Sequence, residues 1–187
     1  FRQAFAQVTN PPIDPLREAC VMSLTTQLGR ETNIFHAGAE TVNHVILNSP
    51  VLSQRKLRQL LKMEQYIHRN RLLDLSYSLE EGLAGGIARL CAEAEAAARA
   101  GIVVLLLSDR YPVPGRPMVH ALLATGAIHH HLCQAGLRCD VNLIIETGTA
   151  RDAHHVACLL GFGATAVYPY LSYQTLFDMG RRGILQL

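Results

Sequence analysis

Ile102-Val103-Val104-Leu105-Leu106-Leu107, preceded by Gly101 and followed by Ser108-Asp109-Arg110, is the stretch that decides the fold class. Six apolar residues without polar alternation make a strand covered on both faces, as in a parallel sheet sandwiched by helices. Gly101 reads as a left-handed cap ending the helix before it. The polar Ser108-Asp109-Arg110 falls at the strand's carboxyl end, where α/β folds place ligand and interface groups.

Working outward, the pattern repeats on both sides. Leu72 to Tyr77 reads as a strand, followed by a long helix to Ala100 on which Ile87, Leu90, Cys91, Ala94 and Ala98 recur at the helical three-and-four spacing. Downstream come a helix from about Pro117 to Gln134, a strand Val141 to Ile145, a helix Arg151 to Leu160, and a turn at Gly161-Phe162-Gly163 into a strand Ala164 to Tyr168. Upstream lie an extended stretch Val42 to Leu47, a turn at Asn48-Ser49-Pro50, and a helix from Ser53, as N-cap, to about Met63. Strand, helix and strand recurring in this way form a series of βα units on a mostly parallel sheet, with right-handed crossovers. Five strands suit either a doubly wound arrangement or a partial barrel, and periodicity alone leaves both open. Asn10-Pro11-Pro12 and Asp14-Pro15 deny backbone donors and favour extended conformations. The expected organisation is an irregular lead and junction segment over 1–40, then one α/β domain over 41–187, with no clear internal repeat.

Composition narrows the function classes. A chain of 187 residues suffices for one well-buried core, and 49% hydrophobic with 17% charged residues describes a globular domain. Seventeen basic against fifteen acidic residues leave a net charge of +2, without a basic cluster interleaved with aromatics, so nucleic acid is not an expected partner. The longest strongly apolar run, 102–107, is far short of the roughly 20 residues a spanning helix needs, so neither is a membrane. Phe1-Arg2-Gln3-Ala4-Phe5 does not read as a signal peptide, and the missing initiating Met suggests a fragment. Five cysteines, odd in number and without a Cys-x-x-Cys, argue against a disulfide frame or a zinc site, and a cytoplasmic compartment is expected.

Several residues invite a chemical reading. His129-His130-His131, with His120, His154 and His155 nearby, has the ligand type of a transition-metal site. Consecutive helical residues point about 100° apart, however, so three in a row do not face one ion, and the run suits the negative end of a helix. Glu146, Arg151, Asp152 and His155 flank the carboxyl end of the fourth strand, where an acid, a base and a cation can converge. The same placement describes an ion-paired loop with Asp152 at a helix start. Gly161 and Gly163 precede a strand rather than a helix, which is not a phosphate loop. With neither a Gly-x-Ser-x-Gly elbow nor a paired cysteine and histidine, no catalytic, cofactor-binding or metal residue is assigned. Cys20, Cys91 and Cys158 sit in helical apolar patterns and read as small core side chains.

Three segments in order, Phe5-Ala6-Gln7-Val8-Thr9-Asn10-Pro11-Pro12-Ile13-Asp14-Pro15-Leu16-Arg17-Glu18, Leu107-Ser108-Asp109-Arg110, and Glu146-Thr147-Gly148-Thr149-Ala150-Arg151-Asp152-Ala153-His154-His155, together with Leu160-Gly161-Phe162-Gly163-Ala164 and Tyr168-Pro169-Tyr170-Leu171, carry a resemblance. Across nearly its whole length the chain resembles the central domain of the glutamate synthase large subunit. The resemblance implies an enzyme that hydrolyses glutamine at an N-terminal cysteine, passes ammonia through an internal channel, and adds it to 2-oxoglutarate at a flavin site. It places FMN and an iron-sulfur cluster in the full enzyme and none in this stretch, which begins with Phe1 and is itself expected to be non-catalytic. The implied partners are the amidotransferase and FMN domains of the same polypeptide, and a small electron-donating subunit is compatible with it. Thr9, Asn10, Asp14, Arg17, Asp109, Arg110, Glu146 and Arg151 are then candidate interface or channel residues, with Thr9 to Pro15 a stiff junction. Two other readings stand beside it: a free-standing flavin- or phosphate-binding enzyme on a partial barrel with Glu146, Arg151 and His155 at its mouth, and a structural module without channel contact.

Overall fold

The computed structural model describes residues 22–31, 35 and 44–185. Thr9, Asn10, Asp14, Arg17 and Cys20, and with them the proposed stiff junction, lie outside the described residues. The described elements are β1 (Thr26–Leu28), β2 (Val45–Leu47), α1 (Gln54–Lys62), β3 (Asn70–Asp74), α2 (Gly82–Arg99), β4 (Val104–Ser108), α3 (Ala121–Gln134), β5 (Asn142–Glu146), α4 (Ala153–Gly161), β6 (Ala166–Tyr168) and α5 (Tyr170–Arg181). Four strands, in the order β3-β4-β5-β6, form one parallel sheet.

Strand β4 is buried along its whole length, as its unbroken apolar run requires. Alternate residues serve two cores. Leu105 and Leu107, with Leu73, Leu143, Ile145 and Val167, face α2 (Leu90, Ala94, Ala98), α3 (Ala124, Ile128, Leu132) and α4 (Leu159). Val104 and Leu106, with Ile144 and Ala166, face Leu57 and Leu60 of α1, Leu28 of β1 and Tyr66. All three crossover helices therefore share one face, and α1 with β1 covers the other. Among the described residues the result is an open parallel sheet covered on both faces, by α2, α3 and α4 on one and by α1 with β1 on the other, and not a closed barrel.

Three sequence expectations are corrected by local hydrogen bonding. Residues 45–47 of the stretch read as a first strand pair antiparallel with β1 instead of joining the parallel sheet, which therefore has four strands. The chain meets that sheet just afterwards, where Leu52 N–H donates to Val167 O and Val167 N–H to Pro50 O (both 2.8 Å). The strand expected at 72–77 ends at Asp74, whose carboxylate accepts from Ser76 N–H and Ser76 Oγ (2.9 Å each) and turns the chain. The helix expected from Pro117 starts at Ala121, because Tyr77 N–H donates to Pro117 O and Val119 N–H to Leu75 O, which holds 117–119 extended. Caps fell where the residue types put them: Ser53 Oγ accepts from Lys56 N–H (3.3 Å), Asp152 Oδ1 from His155 N–H (2.9 Å), and Gly101 ends its helix at φ 84°. Helix α5 lies beyond the last element read from the sequence.

The corner after α4 is sterically closed. Gly163 adopts φ 109°, and a Cβ on it would stand 2.3 Å from His129 Nδ1. His129 cannot move away freely, because Arg138 Nε donates to that nitrogen (3.0 Å) while Arg138 Nη1 and Nη2 donate to Val141 O and Gly163 O (2.7 Å each). Gly163→Ala should therefore destabilise the domain by about 2 kcal/mol or more, read as a fall in denaturant midpoint. His129→Ala in the same chain should restore the steric share and leave the backbone strain.

Candidate functional site

The pairing register places Asp74, Ser108, Glu146 and Tyr168 in one row across the carboxyl ends of the four strands. Glu146, 6% exposed, is a charge removed from water and needs its oxygens bonded. Ser108 Oγ donates to Oε2 (2.7 Å) and Arg110 Nη1 to Oε1 (2.9 Å). The side chains of Arg110 and Glu146 are 18% and 8% exposed. Arg110 Nη1 also donates to the Tyr168 hydroxyl (3.3 Å), and the guanidinium lies 5.8, 5.7 and 5.3 Å from the ring centroids of Tyr111, Tyr168 and Tyr170. Burial works to lower the Arg110 pKa, but its bonds to Glu146 and Tyr168 prevail and the net shift is upward.

Asp109 organises the adjoining loop. Its carboxylate accepts from Thr147 Oγ1 and from Gly148 N–H (2.9 Å), which ties the β4 end to the β5 end. The Tyr170 hydroxyl donates to the Asp109 carbonyl (3.4 Å). Gly148 fits closely under it, since a Cβ there would lie 3.0 Å from the Tyr170 oxygen. Burial, then the adjacent Asp109 carboxylate, pushes the Tyr170 pKa up to about 12. Tyr173 stacks on Tyr168 at 6.1 Å, and Ser172 Oγ donates to Ala150 O (2.7 Å). The first turn of α5 is thus clamped onto the polar row.

Of the sequence candidates, the structure brings Asp109, Arg110 and Glu146 together and leaves Arg151 elsewhere. Arg151 and His155 border a separate groove of about 570 Å³ with His120 and His154. The Arg151 guanidinium has no hydrogen bond or ion pair among the described residues. The histidine run disperses by helical geometry: His131 Nε2 lies 2.6 Å from Glu95 Oε2, His129 accepts from Arg138, and His120 Nδ1 caps α3 by accepting from Leu122 N–H (3.3 Å). Burial, then Arg138, lowers the His129 pKa. Among the described residues no three His, Cys, Asp or Glu side chains converge as ligands. Cys91 is buried, and Cys158 is half-buried with Sγ 3.6 Å from His154 Nε2. The sequence reading missed the tyrosines. Their signal was concentration: of six in the chain, three fall within residues 168–173.

Two measurements follow from this geometry. Arg110→Ala leaves Glu146 buried without its cation and should lower stability by about 1 to 3 kcal/mol, and Arg110→Ala with Glu146→Ala should lose less than the two single losses summed. Equal additivity would show the pair to be uncoupled. Tyr170 binds its proton more tightly folded than unfolded, so its contribution to stability is whole below pH 10 and is lost as pH rises toward about 12. The difference in stability between the parent and Tyr170→Phe should accordingly shrink above pH 10, and phenolate absorbance should show one late-titrating tyrosine fewer in the variant.

Residues 1–186 match the glutamate synthase central domain family. The chain is similar to the ferredoxin-dependent glutamate synthase 2, chloroplastic, of Arabidopsis thaliana, at 44% identity over 181 residues, which cover 94% of this chain and 11% of that protein. It is 40% identical over 187 residues to the glutamate synthase [NADPH] large chain of Bacillus subtilis, covering 98% of this chain and 12% of that one. With the glutamate synthase [NADH] of Saccharomyces cerevisiae it shares 39% identity over 191 residues, 100% of this chain and 9% of that protein. The chain therefore spans about a tenth of the length of the curated relatives it matches. A family match over all but the last residue makes the chain a member of the glutamate synthase central domain family.

Proposed function

We propose that this domain works within a longer glutamate synthase polypeptide as its connecting body, holding a glutamine amidotransferase domain and an FMN-bearing synthase domain in register so that ammonia passes to 2-oxoglutarate in glutamate biosynthesis. The FMN, the iron-sulfur cluster and the glutaminase nucleophile belong, in this reading, to other parts of that polypeptide. The domain contributes no reacting group of its own.

The observation that carries the reading is the closed polar row at the sheet's carboxyl edge. Ser108 and Arg110 are bonded to Glu146, Thr147 to Asp109, Arg110 to Tyr168, and Tyr170 of α5 to the Asp109 carbonyl, so they act as a clamp. A clamp at the end of a doubly covered sheet sets where the next segment begins and in which direction it leaves, and such positioning makes a transferred intermediate meet its acceptor. The exposed Arg151, with a free guanidinium among the described residues, is suited to meet a carboxylate of a neighbouring domain. The reading of Glu146, Arg151 and His155 as one catalytic mouth gains no support from geometry that ties Glu146 to Arg110 and places the other two on a different groove.

The test is a nitrogen balance in the full-length polypeptide carrying Tyr170→Ala and Tyr173→Ala, which loosen the clamp without touching a reacting group. Glutamine hydrolysis should continue while the fraction of released nitrogen that reaches 2-oxoglutarate falls several-fold. An unchanged ratio in a folded variant would show that this edge does not set the coupling.

A further inference from the structure

The groove of about 570 Å³ that Arg151 borders is walled by the first turns of α3 and α4, the helices that follow β4 and β5. Parallel α/β sheets place ligands beyond the carboxyl ends of their strands, in this position. Its walls differ from the bonded row beside them, because their polar groups are unspent. The Arg151 guanidinium has no partner among the described residues, which leaves its five N–H donors open. His155 Nδ1 accepts from Arg151 N–H (3.2 Å) and His120 Nδ1 from Leu122 N–H (3.3 Å), so each ring carries its proton on Nε2 and offers a further donor. His154 adds a third imidazole, 3.6 Å from Cys158 Sγ. Thr149 Oγ1 is taken up by Thr147 Oγ1 (2.9 Å). Among the described residues no Asp or Glu lines this groove. The nearby Asp152 caps α4 through His155 N–H, stands 3.3 Å from His155 Nδ1, and borders a neighbouring groove that Arg151 shares. A wall rich in open donors and without a carboxylate calls for a ligand that brings the acceptors.

We propose that this groove is a binding site for a small organic oxyanion, a carboxylate or phosphate held by Arg151 with the Nε2–H groups of His120 and His155 beside it. The guanidinium fork matches either group through two parallel bonds. The groove holds far more than a bare ion and falls within the range of about 300 to 1,000 Å³ of small-molecule sites. Ala150 and Leu159, both buried, with the half-buried Leu122, give it an apolar wall for the body of the ligand. Occupancy ties the start of α3 to the start of α4, whose strands the Asp109 carboxylate already joins. The site goes beyond the connecting role and does not depend on it. A fixed carboxylate from a neighbouring domain is the rival occupant of Arg151, and exchange of a free ligand separates the two.

The experiment uses the full-length polypeptide with Cys158, which lines the groove, as reporter. Its alkylation by the neutral reagent iodoacetamide is followed by mass spectrometry of the digested protein while benzoate, phenyl phosphate or uncharged benzamide is added at constant ionic strength. Cys133 on α3 is the control: it is exposed, has the same helical histidine neighbour (Sγ 3.7 Å from His129 Nε2), and does not line the groove. Benzoate or phenyl phosphate should slow Cys158 saturably and several-fold while Cys133 keeps its rate, and benzamide should do neither. Arg151→Ala, an exposed substitution, should raise the concentration needed by about ten-fold or more. The anion that protects at the lower concentration identifies the charged group of the ligand. Equal protection by benzamide, protection that survives Arg151→Ala, or no protection by either anion would each overturn the proposal. A Cys158 that reacts in the unfolded chain and not at all in the native polypeptide would overturn it too, because a neighbouring domain then fills the groove.

Discussion

The buried carboxylate of Glu146 is the constraint on which the rest of this edge depends. A charge there is tolerable only if both oxygens are bonded, and the partners are the residues next to it across the β4–β5 ladder: Ser108 from directly opposite and Arg110 two residues on. Satisfying Glu146 in this way brings a second charge out of water, and the Arg110 guanidinium is in turn accommodated by the Tyr168 hydroxyl and by three aromatic rings. Two of those rings, Tyr111 and Tyr170, lie outside the sheet, so answering one buried charge recruits the loop after β4 and the helix after β6. A polar group low in the hierarchy thus determines where the final helix starts.

The winding of the sheet makes that edge available. Strands in consecutive order with all crossover helices on one face leave the opposite face to α1 and β1, which cover the apolar middle of the strands. The polar row lies on this second face, at the strands' carboxyl ends, where the cover is Tyr168, Tyr170 and the turn of α5. In closed parallel barrels the same location carries reactive groups. In this domain the groups are bonded to each other, in keeping with the positioning role proposed above. The opposite end of the α4–β6 connection shows the same economy of motion: Arg138 holds His129 against Gly163, and the corner has no room for a methyl group.

Much of this was legible in residue order because the signals were local. An unbroken apolar run from 102 to 107 implied cover on both faces, and the helical spacing of Leu90, Cys91, Ala94 and Ala98 implied the face that supplies it. Ser53, Asp152 and Gly101 marked helix ends by residue type, and the Ser108-Asp109-Arg110 triplet after a strand marked the edge that matters. The misread boundaries came from hydrogen bonds between distant segments. Residues 117–119 are extended because 75–77 lie beside them, and the apolar stretch ending at Leu47 pairs with β1 because β1 is there to receive it.

By itself, then, the sequence determined the alternation of strand and helix, the parallel sheet, the family, and three of the residues that meet at its edge, since periodicity, caps and motif order are properties of neighbours along the chain. Tertiary structure alone decided that α2, α3 and α4 share one face of the sheet, that Arg110 answers Glu146 while Arg151 faces another groove, and that three tyrosines close the site. Those outcomes depend on register between strands some 38 residues apart, as Ser108 and Glu146 are, and on which face each crossover helix takes. Neither is encoded in local spacing, because a one-residue slip in register would present the same residues to the opposite face.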